Sequence, residues 1–393
     1  MKHFGLGAAD ILLPENGFET WSVVACDQYT SEPDYWQAVE STVGDTPSTL
    51  RITLPEIYLN EDPAPRIAAI NTTMAQYLKN GVLANHPDSM VYIERETSAG
   101  VRRGLLGVID LEEYDYRPGS KTLIRATEQT VVERIPPRVA IRCDAPLELP
   151  HVLLLMDDAA HTVLGAVQTA GDPLYDFDLM QGGGHIRGSL LTKEAQAAVQ
   201  AALAALLDGQ DDPLLFAVGD GNHSLATAKE CYLRDPNPKN RYALVEVVNI
   251  HDDSIQFEPI YRVLFGADIA DVTAKLEAMC GEGADTQAIT CVTAAGERVL
   301  RLTPTSKLPV GTLQAFLDAY LKEHKEVTID YIHGEETVHR LCAEEGVLGF
   351  VFEGMGKEDL FPAIRQDGSL PRKTFSMGHA ADKRFYLECR AIR

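Results

Sequence analysis

The sequence predicts an α+β protein, and three observations support that class. Residues 214–218 form an apolar run of strand length that continues through a Gly-Asp-Gly turn into a segment with helical spacing. Residues 90–96 and 103–111 are two strand candidates joined by a short turn, which is typical of a hairpin. From about residue 267, apolar residues at helical spacing alternate with short apolar runs. We therefore expect a core with a mixed sheet and an additional C-terminal α+β unit.

Length and charge limit the functional classes. The chain has 393 residues, enough for roughly two or three domains. Its 35 Lys and Arg residues are outnumbered by 58 Asp and Glu residues, which gives a formal net charge of −23. Nucleic acids are bound through clustered cations, so this balance argues against a nucleic-acid partner. It leaves room for a local basic pocket that binds a small phosphate compound.

The apolar and cysteine content indicates a cytoplasmic protein. The first residues contain no long apolar stretch of the kind found in signal peptides, and no run approaches the ~18 apolar residues of a membrane span. No Cys-x-x-Cys motif occurs, and an odd number of cysteines is scattered singly along the chain, which predicts neither a disulfide framework nor a zinc site. The cysteines are Cys26, Cys143, Cys231, Cys280, Cys291, Cys342 and Cys389.

Several predicted elements before and after the Gly-Asp-Gly turn have recognisable boundaries. In the N-terminal section, residues 1–110, Pro33 is placed in the first turn of a helix, and Gly81 closes a second helix with apolar residues at helical spacing. Thr192 should cap a helix that reaches Asp208. Residues 242–250 and 257–265 are predicted strands.

The Gly-Asp-Gly-Asn-His-Ser turn is the most informative stretch of the chain. Gly221 lets the backbone turn sharply and approach a ligand, and the start of a predicted helix over residues 222–233 favours an anion. Asp220 could hold a metal, and His223 could bond a phosphoryl oxygen or carry a proton. A plain strand-to-helix corner, capped by Asn222 or Ser224, explains the same spacing.

Residues 121–142 are unusually basic for this acidic chain. Glu128 lies among these cations, between two threonines. Guanidinium groups bind phosphate oxygens in a bidentate manner, so the stretch predicts a phosphate site; a solvated charged face is the alternative. The cations are Lys121, Arg125, Arg134, Arg138 and Arg142.

Two longer patterns resemble known families. Asp220-Gly-Asn-His-Ser, set between a strand and a helix, resembles the Asp-Gly-His-His-Arg signature of the ParB/sulfiredoxin superfamily. The wider layout, from Cys26-Asp-Gln-Tyr through Glu128 and Phe257-Glu-Pro-Ile-Tyr to Pro371-Arg-Lys-Thr-Phe, resembles the family catalogued as DUF1015. Asn222 and Ser224 depart from the signature, which commonly has His and Arg there.

The resemblance implies a fold, an activity and a set of site residues. It implies a ParB/sulfiredoxin-like core over residues 111–265, followed by a C-terminal unit over residues 266–393. It also implies a small-molecule kinase that uses ATP, ADP or pyrophosphate with Mg²⁺ and acts on a hydroxyl compound such as free serine. A nucleotide-binding or regulatory protein without catalysis is the alternative. The implied roles are catalysis by Glu128 and His223, a metal at Asp220, and phosphate binding by Gly221, Asn222, Ser224, Arg125, Arg134 and Arg138.

Overall fold

The structure is a computed structural model that describes residues 5–59, 62–129, 135–149 and 151–393. Its described helices are α1 (Phe18–Trp21), α2 (Pro33–Val43), α3 (Ala64–Lys79), α4 (Ile135–Arg142), α5 (Thr162–Gly165), α6 (Lys193–Ala205), α7 (Asn222–Arg234), α8 (Ile269–Glu277), α9 (Pro309–Glu323), α10 (Glu335–Cys342) and α11 (Leu360–Asp367).

The strands in the same part of the chain are mostly short. They are β1 (Ala9–Pro14), β2 (Val23–Val24), β3 (Leu83–Ser89), β4 (Val91–Thr97), β5 (Gly100–Asp110), β6 (Tyr114–Asp115), β7 (Ile124–Ala126), β8 (Leu147–Glu148), β9 (Leu153–Met156), β10 (Tyr175–Asp178), β11 (His185–Leu190), β12 (Phe216–Asp220), β13 (Tyr242–Asn249), β14 (Phe257–Phe265), β15 (Gln287–Thr293), β16 (Gly296–Leu302), β17 (Thr328–His333), β18 (Val347–Phe352), β19 (Phe375–Met377), β20 (Phe385–Tyr386) and β21 (Arg390–Ala391). None of the described helices is long and apolar enough to cross a membrane.

The chain forms two units whose boundaries differ from the predicted ones. Unit 1 comprises Met1–Ile255 together with Gly378–Arg393, and unit 2 comprises Gln256–Met377. Strand β14, predicted to belong to the core, pairs with β17, β18 and β19 of unit 2. No boundary falls near residue 110, because the β4–β5 hairpin joins the same sheet as β12 and β13.

A mixed sheet forms the centre of unit 1, as the sequence predicted. Its strand order is β10-β11-β4-β5-β13-β9-β12-β7-β6. Strand β12 runs parallel to β7 and antiparallel to β9, while β13 runs parallel to β9 and antiparallel to β5. Phe216, Ala217 and Val218 of β12 are fully buried. This burial explains why β12 is a continuous apolar run instead of an alternating one.

Several predicted helix boundaries are confirmed. Helix α2 begins at Pro33, and α7 begins at Asn222. Thr192 caps α6, since its side-chain oxygen accepts a hydrogen bond from the backbone N–H of Ala195 at 3.1 Å. Helix α6 ends at Ala205 instead of Asp208, because the chain continues there as turns that lead to Gly209 in a left-handed conformation.

Unit 2 overlaps the C-terminal α+β unit predicted over residues 266–393, but it comprises Gln256–Met377. Its main sheet has the order β16-β15-β18-β14-β17, and neighbouring strands are antiparallel. The fully buried Arg262 of β14 donates to the side chain of Gln314 on α9 and to the backbone oxygen of Lys373. These bonds hold the Pro371-Arg-Lys-Thr segment against the sheet.

The last sixteen residues of unit 1 pack into its interior. Strand β20 pairs with β2, and β21 pairs with β8. Phe385 and Tyr386 are buried and anchor this segment. The guanidinium of Arg384 bonds Glu246 at 2.8 Å and Glu388 at 2.6 Å, and all three side chains are buried. The segment is therefore part of the core of unit 1.

Candidate functional site

The turn between β12 and α7 requires glycine at position 221. Gly221 has φ 78° and ψ 27°, a left-handed conformation that strains residues with a side chain. A Cβ atom there would also lie 3.0 Å from the Cα of Val152. The first hydrogen bond within α7 runs from the N–H of Leu225 to the oxygen of Gly221 at 3.0 Å. Helical geometry leaves the preceding amides without an acceptor inside the helix, so they are directed towards the turn.

Asp220 forms an ion pair with Lys383 beside this turn. One carboxylate oxygen accepts from the Gly221 N–H at 2.8 Å, and the other lies 3.2 Å from the Lys383 ammonium. Burial alone would raise the pKa of Asp220, but Lys383, His151 and the Gly221 N–H outweigh burial and lower it. The carboxylate is therefore ionised at neutral pH, with a cation already next to it.

The side-chain amide of Asn222 has a defined orientation. Its Nδ2 donates to the Thr127 hydroxyl at 3.3 Å, while that hydroxyl donates to the Val218 carbonyl at 2.6 Å. Asn222 Oδ1 is buried and has no hydrogen-bond partner within the described chain. An acceptor suits a cation or a hydroxyl donor and repels a phosphate oxygen. A phosphate contact by Asn222 would therefore use its backbone N–H.

Parallel pairing brings Glu128 to the same edge of the sheet as Asp220. Ala126 of β7 pairs with Val218 of β12, and the two carboxylates each follow two residues later. Glu128 is half-buried there. His223 lies in the first turn of α7, where its backbone oxygen accepts from the Thr227 hydroxyl at 2.7 Å.

A cavity of about 160 Å³ lies next to the first two turns of α7. Ser224 and Thr227 of α7 line it, and Arg138 of α4 lines it from another side. Aliphatic side chains form most of the remaining wall. They are Ile52, Leu54, Leu59, Ile141, Leu147, Leu149, Val152 and Leu225, together with Met74. The cavity can therefore hold a small molecule that has both apolar and polar parts.

The structure brings only part of the basic stretch to this cavity. Arg138 lines it and forms an ion pair with Glu56. Arg125 does not line it, because Arg125 pairs with Ala217 in the middle of β12. Its buried guanidinium bonds Asp212 at 2.5 Å. Arg134 lies outside the described residues.

The sequence did not predict a second set of polar residues that lies near the cavity. His151 lies 3.7 Å from the Asp27 carboxylate and 2.9 Å from the Tyr386 hydroxyl. That hydroxyl is 3.0 Å from the Cys26 sulfur. Burial is the main cause that raises the pKa of Cys26 to about 12, so its thiol is protonated at neutral pH. Of these residues, only Cys26 and Asp27 belong to a sequence pattern, the Cys26-Asp-Gln-Tyr stretch.

The protein side chains offer few metal ligands at this site. Nowhere in the described ranges do three or more His, Cys, Asp or Glu side chains form a group that could hold a metal ion. Asp220 and the unpartnered Oδ1 of Asn222 are two oxygen donors next to the turn. This pair fits Mg²⁺, which is usually bound by one or two protein ligands, waters and substrate phosphates.

Solved structures with a partly similar backbone share little sequence with this chain. A conserved hypothetical protein from Pyrococcus furiosus is 12% identical with a TM-score of 0.37, covering 69% of this chain and 90% of that one. A free serine kinase in complex with AMP is 12% identical with a TM-score of 0.41, covering 72% and 90%. SbnI from Staphylococcus aureus, with a C-terminal truncation, is 11% identical with a TM-score of 0.38, covering 72% and 85%.

The family assignment comes from the sequence. No curated protein matches the chain. The family model described as "Protein of unknown function (DUF1015)" matches residues 9–324, which is most of the chain, and the protein therefore belongs to this family.

Proposed function

We propose that the protein is a small-molecule kinase that transfers a phosphoryl group from a nucleotide or pyrophosphate to a hydroxyl compound. The observation that carries the proposal is the Asp220–Lys383 ion pair at the start of α7, beside the cavity that Ser224 lines. The proposal includes a ParB/sulfiredoxin-like core built on β12 and α7, and a cytoplasmic location. Phosphoryl transfer suits this arrangement because it depends mainly on positioning and charge neutralisation.

The donor phosphates would bind at the first turn of α7. The backbone amides of Gly221, Asn222 and Ser224 and the positive end of the helix dipole favour negative charge there. The Lys383 ammonium, 3.2 Å from Asp220, would interact with a phosphate oxygen as well. Asp220 and Asn222 Oδ1 would hold Mg²⁺, which supplies neutralisation of phosphate charge when it is bound.

The acceptor would occupy the cavity. Glu128 is not among the lining residues, so the acceptor hydroxyl would extend past the first turn of α7 to the edge of the sheet where Glu128 lies, and Glu128 would accept the hydroxyl proton. His223, in the first turn of α7, would bond a transferring phosphoryl oxygen. Arg138 would help to hold the acceptor or the donor from the cavity side. Free serine is the first acceptor to test, and larger hydroxyl compounds with an aliphatic part come next because the walls are largely apolar.

Nucleotide binding can be tested on the full chain with ATP, ADP and pyrophosphate, each with and without Mg²⁺. A ligand present at 100 times its dissociation constant stabilises a protein by about 2.7 kcal/mol, which a thermal-shift assay detects. We expect Lys383→Met to weaken the shift. Lys121→Met is the matched control, because Lys121 forms a similar pair with Asp212 at 2.8 Å elsewhere in unit 1. Equal shifts in the wild type and Lys383→Met would remove Lys383 from the site.

Turnover separates the kinase from a nucleotide-binding regulator. Glu128→Gln should lower the rate by roughly 100- to 10,000-fold, the usual contribution of a general base, while nucleotide binding stays nearly intact. Asp220→Asn should also weaken Mg²⁺-dependent binding. Normal turnover in Glu128→Gln would exclude Glu128 as the base. Nucleotide binding without product from any acceptor would favour the regulatory alternative.

A further inference from the structure

Two cysteines meet where α4 packs against α7. Cys143 closes the last turn of α4, with its N–H bonded to the Val139 oxygen at 2.8 Å, and Cys231 lies on α7. Their sulfur atoms are 3.4 Å apart, although 88 residues separate them in sequence. Cys231 is buried and Cys143 is half-buried. A disulfide has a sulfur–sulfur distance of about 2.0 Å, so an approach of roughly 1.4 Å would allow the bond.

We propose that Cys143 and Cys231 form a reversible disulfide that fixes α4 against α7. The proposal stands on this sulfur pair and does not depend on the kinase activity. The bond would act on the cavity, since α4 contributes Arg138 and Ile141 to its wall and α7 contributes Ser224 and Ala228. Oxidation would then fix the distance between α4 and α7 on the two sides of the cavity, whereas in the reduced protein this distance could vary.

The chemistry needs a two-electron oxidant, and a hydroperoxide is the class we assign. The Cys143 thiolate attacks one peroxide oxygen, the O–O bond breaks, and a sulfenic acid and water form after protonation. The Cys231 sulfur then attacks the sulfenic sulfur, the S–S bond forms, and the hydroxyl leaves as water with the thiol proton. Two thiols are oxidised and one hydrogen peroxide is reduced to two waters.

Accessibility determines the order of these steps. Burial, followed by the hydrogen bond with Cys143, raises the pKa of Cys231 to about 12. Cys231 is therefore protonated and shielded, so the peroxide reacts first with the half-buried Cys143. Cys231 then resolves the sulfenic acid because it already lies in contact. A thiol–disulfide exchange with a small disulfide would reach the same product.

The test treats the purified full chain with hydrogen peroxide and maps its peptides without reduction. We expect a peptide pair joined through Cys143 and Cys231 that dithiothreitol separates again. The oxidised protein should also melt at a temperature higher by about 5 to 15 °C, because a cross-link between distant residues restricts the unfolded chain. The melting shift should disappear in Cys143→Ser and in Cys231→Ser.

Control variants keep the interpretation unambiguous. Cys280→Ser removes an exposed thiol and should leave the cross-link and the melting shift unchanged. In Cys231→Ser the sulfenic acid on Cys143 should persist and react with dimedone. The wild-type peptide map needs no variant, so it decides the question even if a serine variant fails to fold. Oxidation of Cys280 with Cys143 and Cys231 both remaining as thiols, or links only between separate chains, would overturn the proposal.

Discussion

Arg384→Met should destabilise unit 1, because this guanidinium compensates two buried carboxylates. Arg384 bonds Glu246 at 2.8 Å and Glu388 at 2.6 Å, and the exposed fractions of the two glutamate side chains are 3% and 0%. Methionine keeps a similar length and fills part of the same space, but it carries no charge. The substitution therefore isolates the loss of the ion pairs from the loss of packing.

The expected loss follows from what each carboxylate retains. Breaking a buried ion pair from one side costs about 3 to 5 kcal/mol, because the remaining charge is left in a poorly solvating interior. Glu246 keeps Arg102 at 3.8 Å, and Glu388 keeps the Tyr175 hydroxyl at 2.5 Å. These partners compensate part of the loss, so we expect a value near the lower end, about 3 kcal/mol.

Urea denaturation followed by tryptophan fluorescence measures this loss in unit 1. The chain contains two tryptophans, Trp21 and Trp36, and both are buried in unit 1. Their emission therefore reports unfolding of this unit within the full chain. Arg117→Met is the control, because Arg117 is 78% exposed and its pair with Asp115 lies at the surface; its midpoint should match the wild type. A loss below about 1 kcal/mol for Arg384→Met would refute the assignment of a compensating role.

Three further outcomes can be checked with similar assays. Gly221→Ala should lower the free energy of unfolding more than Gly209→Ala does. Both glycines have positive φ, but only a Cβ at position 221 would contact a neighbouring backbone. The difference between the two variants should be about 1 kcal/mol or more in the same urea assay. The pKa of Asp212 is lowered to about 2, mainly by a hydrogen bond from Arg125. The pKa of an aspartate in the unfolded chain is about 3.9. The wild type should therefore lose more stability than Asp212→Asn as the pH falls from about 4 to 2, as urea midpoints at several pH values would show. Ala228→Leu should fill the cavity and abolish turnover while nucleotide binding persists, which paired thermal-shift and product assays would separate.

Local sequence patterns predicted the turn and its flanking elements well. The apolar run, the glycines and the helical spacing specify β12, the left-handed residue at 221 and α7, because each depends on neighbours a few positions away. The same holds for the Thr192 cap and the β4–β5 hairpin. For the site, the local pattern placed Asp220 at the end of a strand and Gly221 and Ser224 at the start of the helix that follows.

Long-range pairing explains what the sequence did not show. Lys383 reaches Asp220 only because the final segment returns to unit 1, and no periodicity encodes that return. Arg125 was grouped with Arg138 by composition, but strand register directs Arg125 to Asp212. The boundary at residue 256 depends on which strands β14 pairs with. The pattern of apolar and polar residues within β14 does not identify those partner strands.

The interrupted course of unit 1 has a consequence for its synthesis on the ribosome. Strands β20 and β21 and the residues between them emerge only after the whole of unit 2 has been translated. Unit 2 is contiguous and can fold while it emerges. Unit 1 cannot complete its fold until then, because Glu246 still lacks its partner Arg384 and Glu148 still lacks its partner Arg390. Asp220 gains Lys383 at the same late moment. The nascent chain therefore completes its candidate phosphate site as one of its last folding events.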